Sequence, residues 1–412
     1  MNKAPQTLKG FRDFLPEVMV VRNYVKNLLI EVFESFGFEP LETPTLEYSS
    51  TLMGKYGEEA DKLVYSFTDN GGRQIGLRYD LTVPTSKVLA IYNQQIPLPF
   101  KRYQIQPVWR ADNTQKGRYR EVLQCDIDTF GSSFPISDAE IIAVINSILQ
   151  KLNFKKYSIR INSRSVLFQI LTSAGVKDDQ KSILQTLDKL SKIKEEGVTK
   201  ELIEKGLSAS TITTLLNCIK KAQPDDYLKQ VFNLIKDFGV PESCFIFDPT
   251  IFRGLDYYTG PIFETYVEEP KIGSITGGGR YDNLISLLGG PDISAVGTTI
   301  GLDRIVDCIM ELNLLPNLPK TKTKVLIANF GPETLKNCQQ LFIIFQSKQI
   351  PSFIYPNANK LGKQFKYASD KGIPFVAVIG PDEVEKNLVT LKDMTIGEQK
   401  TLSLKDLLAQ LV

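Results

Sequence analysis

The sequence predicts an α+β chain: a large domain with a mixed or antiparallel sheet flanked by helices, a helical insertion, and a small C-terminal α/β domain. Two observations predict it. Short strand-like runs punctuated by turns dominate the first half and return after Asp248, whereas the intervening eighty or so residues are rich in Leu, Ile, Lys and Glu. Beyond the linker NLLPNLPKTKTK, apolar runs and helical patterns alternate as β-α-β-α-β. At 412 residues the chain exceeds what one hydrophobic core sustains, so at least two domains are expected.

Taken in order, Val21, Val25, Leu28, Val32 and Phe36 recur at helical spacing from Pro16, with Gly37 placed to end the helix. EPLETPTLE reads as a proline-marked extended segment, and strand-like runs follow at Ile75 to Leu81 and from Phe100 to Phe130. Ile136 to Leu152 is helical, and Tyr157, Ile159 and Ile161 alternate as in a half-buried strand. The helical insertion spans about 166–240, and a further helix begins near Leu302. A domain boundary is expected near Leu318, dividing 1–318 from 319–412. In the tail, Val325 to Asn329, Phe353 to Tyr355 and Phe375 to Ile379 are strands, with helices from Pro332 and after Asn359.

Composition narrows the chemistry. Charged residues make up 23% and hydrophobic ones 42%, ordinary for a globular protein. The net charge of +2 does not advertise a nucleic-acid partner, but residues 321–412 hold 12 Lys against 8 Asp plus Glu, so the tail is the basic part. Five scattered cysteines without a C-x-x-C pair suggest neither a zinc cage nor a disulfide framework, and fit a reduced cytoplasmic setting. The N-terminus lacks an apolar targeting core and no run approaches bilayer length, so no membrane role is expected. Histidine is absent, which excludes imidazole bases and Ser-His or Cys-His pairs and leaves Arg, Asp, Glu, Lys, Tyr and backbone to do the chemistry.

The densest cluster is KRYQIQPVWRADNTQKGRYREVLQCDID, in which Arg110, Arg118 and Arg120 flank a polar loop between two strands. Guanidinium forks bind phosphate oxygens bidentately, so such a hairpin suits a nucleoside triphosphate; it also reads as a solvated, salt-bridged hairpin. FRGLDYYTGPIFE sets Arg253 before a tyrosine pair, one ring of which a strand would bury. GGGRYDNL is not a Walker loop; by itself it is a turn, or a place for close backbone approach to a ligand.

Together, LRYDLT, the arginine hairpin, RGLDYY, GGGRYD and GTTIGLDRI stand in the order found in class II histidyl-tRNA synthetases, which the whole chain resembles. FEPLETPTLE is similar to motif 1 of that class, the hairpin to motif 2 and GTTIGLDRI to motif 3; RGLDYY and GGRYD resemble the histidine-specific signatures. The resemblance implies a class II catalytic domain on a mostly antiparallel sheet, an anticodon-binding tail, a cytoplasmic homodimer, and the substrates L-histidine, ATP with Mg²⁺, and tRNA-His. It assigns Arg110 and Arg253 to catalysis at the ATP α-phosphate and to the bound histidine, and Arg110, Asp112, Arg118 and Arg304 to ATP. Asp80, Leu81, Thr82 and Gln124 match the ammonium end of the histidine pocket; Asp128, Tyr257 and Tyr258 match the imidazole end. Gln115 and Lys116 are acceptor-stem candidates, and Lys360, Lys363 and Lys366 anticodon candidates, although such a lysine face is also ordinary solvated surface. No protein metal ligand is implied. Val122 and Leu123 stand where the family has an aromatic pair or Phe-His, and Asn113 where many bacterial members have Arg. A noncatalytic relative, the regulatory subunit of ATP phosphoribosyltransferase, shares the catalytic fold but erodes RGLDYY.

Overall fold

A computed structural model describes residues 4–55, 61–114, 117–252 and 257–411. The chain forms two compact units, one of Tyr24–Leu315 with Met1–Asp13, the other of Phe14–Asn23 with Pro316–Val412.

In the first unit the strands are β1 (Glu39–Pro40), β2 (Leu46–Tyr48), β3 (Ser66–Thr68), β4 (Gln74–Leu77), β5 (Phe100–Trp109), β6 (Glu121–Phe130), β7 (Tyr157–Ser163), β8 (Phe245–Phe247), β9 (Pro261–Val267), β10 (Thr276–Arg280) and β11 (Ala295–Gly301). Eight of them make one sheet in the order β1-β5-β6-β11-β10-β9-β7-β8. Its five central pairings are antiparallel, and only β1 on β5 and β7 on β8 are parallel. A small antiparallel sheet, β2-β4-β3, stands beside it in the chain.

Helices α1 (Pro16–Ser35), α2 (Ser49–Leu52), α3 (Thr82–Tyr92) and α4 (Pro135–Lys151) accompany these strands. The apolar stripe of α1 is buried at Val25, Leu28, Leu29, Val32 and Phe33, and the chain leaves the helix through Gly37 at φ +79°, where a side chain would be strained. The strand expected to run through Leu81 ends at Leu77. Asp80 Oδ1 accepts the Val83 amide at 3.1 Å, satisfying a first-turn donor, and Pro84 is tolerated within that turn, so α3 starts at Thr82 instead.

Five helices occupy the stretch expected to be helical: α5 (Arg164–Ser173), α6 (Gln180–Leu187), α7 (Leu190–Glu204), α8 (Ala209–Lys221) and α9 (Asp226–Asp237). Ser163, Ser208 and Asp225 cap α5, α8 and α9 by accepting first-turn amides. Strand β8 was not legible, because three residues give no period. Helix α10 (Leu302–Leu312) closes the unit and ends on Asn313 in the left-handed region.

The second unit holds β12 (Val325–Ile327), α11 (Pro332–Ser347), β13 (Ser352–Ile354), α12 (Leu361–Lys371), β14 (Phe375–Val378), α13 (Pro381–Lys386), β15 (Val389–Asp393), β16 (Gln399–Leu402) and α14 (Leu404–Leu411). Its sheet order is β13-β12-β14-β15-β16, parallel over the first three strands as the β-α-β-α-β reading requires. Alternate residues serve opposite faces. Val325 and Ile327 pack with α11 and α14 through Cys338, Leu341, Phe345 and Leu407; Leu326, Val376 and Val378 pack toward α12 at Ala368. The antiparallel pair β15–β16 was not expected: β16 is mostly exposed and shows no apolar alternation that would announce a strand.

Candidate active site

Strand β6 presents Gln124, Asp126 and Asp128 at alternate positions, hence on one face of the sheet. Across the ladder they meet Gln106, Gln104 and Arg102 of β5 on one side and Gly301, Thr299 and Gly297 of β11 on the other. Thr299 and Gly297 in turn oppose Gly277 and Gly279 of β10. The face is therefore polar over β5 and β6 and nearly bare over β11 and β10. A Cβ on Gly297 would lie 1.9 Å from Asp128 Oδ1, and one on Gly279 would lie 2.8 Å from the Tyr258 ring, whereas Gly277 faces open space. The run GGG, which alone reads as a turn, is thus a strand whose missing side chains make the room beside the acids.

Arg102 is fully buried, with Nη2 2.7 Å from Asp128 Oδ2. The Tyr281 hydroxyl donates to the other oxygen, Asp128 Oδ1. Burial raises the Asp128 pKa, and Arg102 and Tyr281 oppose the rise. Asp126, also buried, is pushed up to about 7: burial is the main cause, Arg102 pulls the other way, and the Asp128 charge adds to the rise. Because this carboxyl titrates higher folded than at its ordinary 3.8, its protonated form stabilises the fold, and that stability is lost as pH climbs through about 7. Asp126→Asn is therefore expected to melt above the unaltered protein by a margin that widens by a few degrees between pH 5 and pH 8. A margin that stays constant in melting scans across that range would contradict this.

Tyr257 donates to Asp80 Oδ2 at 3.2 Å, and the Thr82 side chain opposes the rise that burial causes in the Tyr257 pKa. Its ring centroid lies 4.9 Å from that of Tyr258 and 5.6 Å from that of Tyr281. Burial foremost raises the pKa of all three phenols, so they remain hydroxyl donors. Leu81, wholly buried, fixes the turn that carries Asp80.

Arg110 joins this pocket to the hairpin. Its Nε donates to the Tyr79 carbonyl at 3.0 Å, its Nη2 to Gln124 Oε1 at 3.3 Å, and the guanidinium lies 4.5 Å from the Tyr79 ring centroid. Burial works against its charge, but Tyr79, Asp80, Asp112 and Tyr257 outweigh it and hold its pKa above the ordinary arginine value. Further along, Arg118 forks onto Asp112 through Nε and Nη2, both at 3.0 Å. Arg304 Nε donates to Gly117 O at 2.7 Å and its Nη1 to Ser274 O. Eight expected residues, Asp80, Leu81, Thr82, Arg110, Gln124, Asp128, Tyr257 and Tyr258, thus belong to one connected set, and Asp112, Arg118 and Arg304 continue it along the hairpin.

Arg253, Gln115 and Lys116 lie outside the described residues. Lys360, Lys363 and Lys366 belong to the second unit, where they are exposed at and after the start of α12, with Lys366 Nζ 2.8 Å from Asp370.

Five residues escaped the sequence reading. Arg102, Asp126 and Tyr281 are described above; Tyr281 lies within GGGRYD, and Arg102 and Asp126 within the quoted hairpin, so a signal was present. The fourth, Asp303, takes the Leu123 amide at 2.9 Å and Arg12 Nη2 at 2.8 Å, and Arg12, the fifth, covers the Tyr119 ring at 3.4 Å. Two motif arginines serve the scaffold instead. Arg78 binds the carbonyls of Thr43 and Pro107, and Arg280 ties β10 to Asp138 of α4 at 2.6 Å and to Ser132 O at 2.8 Å. Among the described residues no three Asp, Glu or Cys side chains cluster as a metal site, and no helix is long and apolar enough to cross a membrane.

Residues 10–305 match the family model described as histidyl-tRNA synthetase, and residues 324–412 match that of an anticodon binding domain. The chain is 39% identical to the histidine–tRNA ligase of Phocaeicola vulgatus and 38% identical to that of Christiangramia forsetii, in each case over 99% of both chains. The solved histidyl-tRNA synthetase from Nostoc sp. PCC 7120 superposes with a TM-score of 0.85 at 28% identity, over 100% of this chain and 99% of that one. An ATP phosphoribosyltransferase regulatory subunit/histidyl-tRNA synthetase from Bacillus halodurans, 20% identical, shares the fold with a TM-score of 0.74 over 90% of this chain and 97% of its own. With a family model covering most of the first unit and relatives matched end to end, this chain belongs to the histidyl-tRNA synthetase family.

Proposed function

We propose that the chain joins L-histidine to ATP as histidyl-adenylate, releasing pyrophosphate, and then passes the histidyl group to the 3′ end of tRNA-His. The observation that carries this reading is the continuity of two unlike surfaces. An acid- and phenol-lined pocket over a glycine floor is linked through Arg110 to a row of arginines on the β5–β6 hairpin.

In the first step the histidine carboxylate attacks the α-phosphorus, the bond to the β-phosphate oxygen breaks, and charge grows on the α-phosphate oxygens. Arg110, kept cationic and fixed by Tyr79 and Gln124, stabilises that charge without reorganising, and Arg253 is the second cation assigned to it. Asp112 occupies Nε and Nη2 of Arg118 and leaves Nη1 for a γ-phosphate oxygen, while Arg304 offers a planar cation to adenine. Mg²⁺ accompanies the nucleotide. It needs only one or two carboxylates besides phosphate and water, and Glu264, across Thr299 and Gly277 on the same sheet face, is one such group.

Asp80, Thr82 and Gln124 accept the substrate ammonium, and Asp128, Tyr257 and Tyr258 satisfy the imidazole nitrogens, so an apolar amino acid would strand buried polar groups. In the second step the ribose 3′-hydroxyl attacks the adenylate carbonyl and AMP leaves; a nonbridging phosphate oxygen takes the proton, a route open to a chain without histidine. The second unit reads the anticodon, with Lys360, Lys363 and Lys366 exposed on it, and Gln115 and Lys116 are the acceptor-stem candidates. A cytoplasmic homodimer completes the reading. The complete arginine and tyrosine set disfavours a regulatory, noncatalytic role.

ATP–pyrophosphate exchange measured with each amino acid separately tests this. Exchange with histidine alone is expected; exchange with none, or with a different amino acid, would overturn the assignment.

A further inference from the structure

Gln124 lies between a cation and an anion. Its Oε1 accepts from Arg110 at 3.3 Å, while its Nε2 donates to Thr299 Oγ1 at 2.7 Å and lies 3.4 Å from Asp126 Oδ1. The two ends of a side-chain amide have nearly the same shape and opposite hydrogen-bonding character, so its neighbours alone decide which way it points. Thr299 Oγ1, already accepting from Gln124, stands opposite Asp126, and its side chain joins Arg102 in opposing the rise that burial causes in the Asp126 pKa. These groups stand in register, Asp126 facing Thr299 across the β6–β11 ladder and Gln124 two residues away on the same face.

Directionality follows from the carboxylate. An ionised Asp126 can only accept, so the Thr299 proton must point to it. The Thr299 oxygen is then left to accept, and the Gln124 amide must offer its NH₂ there and its oxygen to Arg110. A neutral group at position 126 that can also donate weakens this constraint: Thr299 could turn its proton toward Gln124, leaving Arg110 alone to keep the amide from turning its NH₂ toward the place where a substrate ammonium must sit.

We propose that Asp126 is a positioning residue for histidine recognition, acting through Thr299 to hold the Gln124 amide oxygen toward Arg110 and the ammonium site. The proposal rests on the functional reading above, in which Gln124 meets the substrate ammonium. It also accounts for a buried acid that the reaction itself does not use. Asp126 is faced by Arg102 from β5, Asp128 from its own strand, Asp80 from the turn before α3, and the Tyr258 phenol. Its titration near neutral pH makes the orientation pH-dependent: imposed when the group is ionised, relaxed when it is protonated.

The test is histidine-dependent ATP–pyrophosphate exchange by the full chain, comparing Asp126→Asn and Thr299→Val with the unaltered protein from pH 6 to pH 8.5. At pH 8 both variants are expected to raise the KM for histidine, Asp126→Asn about tenfold, with kcat within about twofold. The ratio of KM values, Asn variant over unaltered, should shrink toward one at pH 6, where Asp126 is itself protonated; the substrate's own titration cancels in that ratio. Unchanged KM values at pH 8, a loss confined to kcat, or a ratio independent of pH would each overturn the proposal. If the Asn variant fails to fold, Thr299→Val decides, since it keeps the acid and removes the link. Absence of histidine-dependent exchange in the unaltered chain would instead overturn the functional reading, and this proposal with it.

Discussion

Arg110→Ala is expected to lower kcat for histidine-dependent pyrophosphate exchange by roughly 10² to 10³, the usual cost of removing one preorganised donor from a developing oxyanion. The guanidinium reaches its position through its own hydrogen bonds to Tyr79 O and Gln124, so alanine removes both the charge and its alignment. Arg110→Lys should recover only part of the rate, because an ammonium cannot hold those two contacts and also face a phosphate bidentately. Melting should change by a few degrees at most, since Arg110 is only half-buried. A kcat within fivefold of the unaltered enzyme would place the charge stabilisation elsewhere.

Arg102→Leu should be the most destabilising single change in the pocket, costing about 3–5 kcal/mol, the range for removing one partner of a buried ion pair. Arg102 acts on both Asp126 and Asp128 across the β5–β6 ladder; without it two carboxyls remain in a buried sheet face. The deficit should shrink on acidification, because both acids already titrate high and their neutral forms need no counter-charge. Calorimetry of the first unit's transition at pH 5 and pH 8 reads this directly. A loss below about 1 kcal/mol, or one that grows as pH falls, would show that the leucine has been accommodated and that the pair is not needed.

Much of this site was legible because its residues are carried in short segments. LRYDLT, the arginine hairpin, RGLDYY, GGGRYD and GTTIGLDRI each hold two or more groups with a chemical purpose, and most of the expected pocket residues prove to be connected. What was misread has a common cause. The glycines of β10 read alone as a turn and form a strand, and β16, announced by no apolar alternation, pairs with β15. Each depends on what lies across the sheet, and no window of sequence contains that.

By itself, then, the sequence determined which side chains are available for chemistry, the helical and strand periodicities of the long elements, and the order of the motifs, since all of these are local or compositional. Only the tertiary structure decided that Arg102 pairs with Asp128, that Asp126 titrates near neutrality, and that Gly297 and Gly279 clear space for Tyr258 and Asp128. Charge state and free volume are set by neighbours brought from four strands at once, and solvent exclusion, which governs both, exists only after the chain has folded.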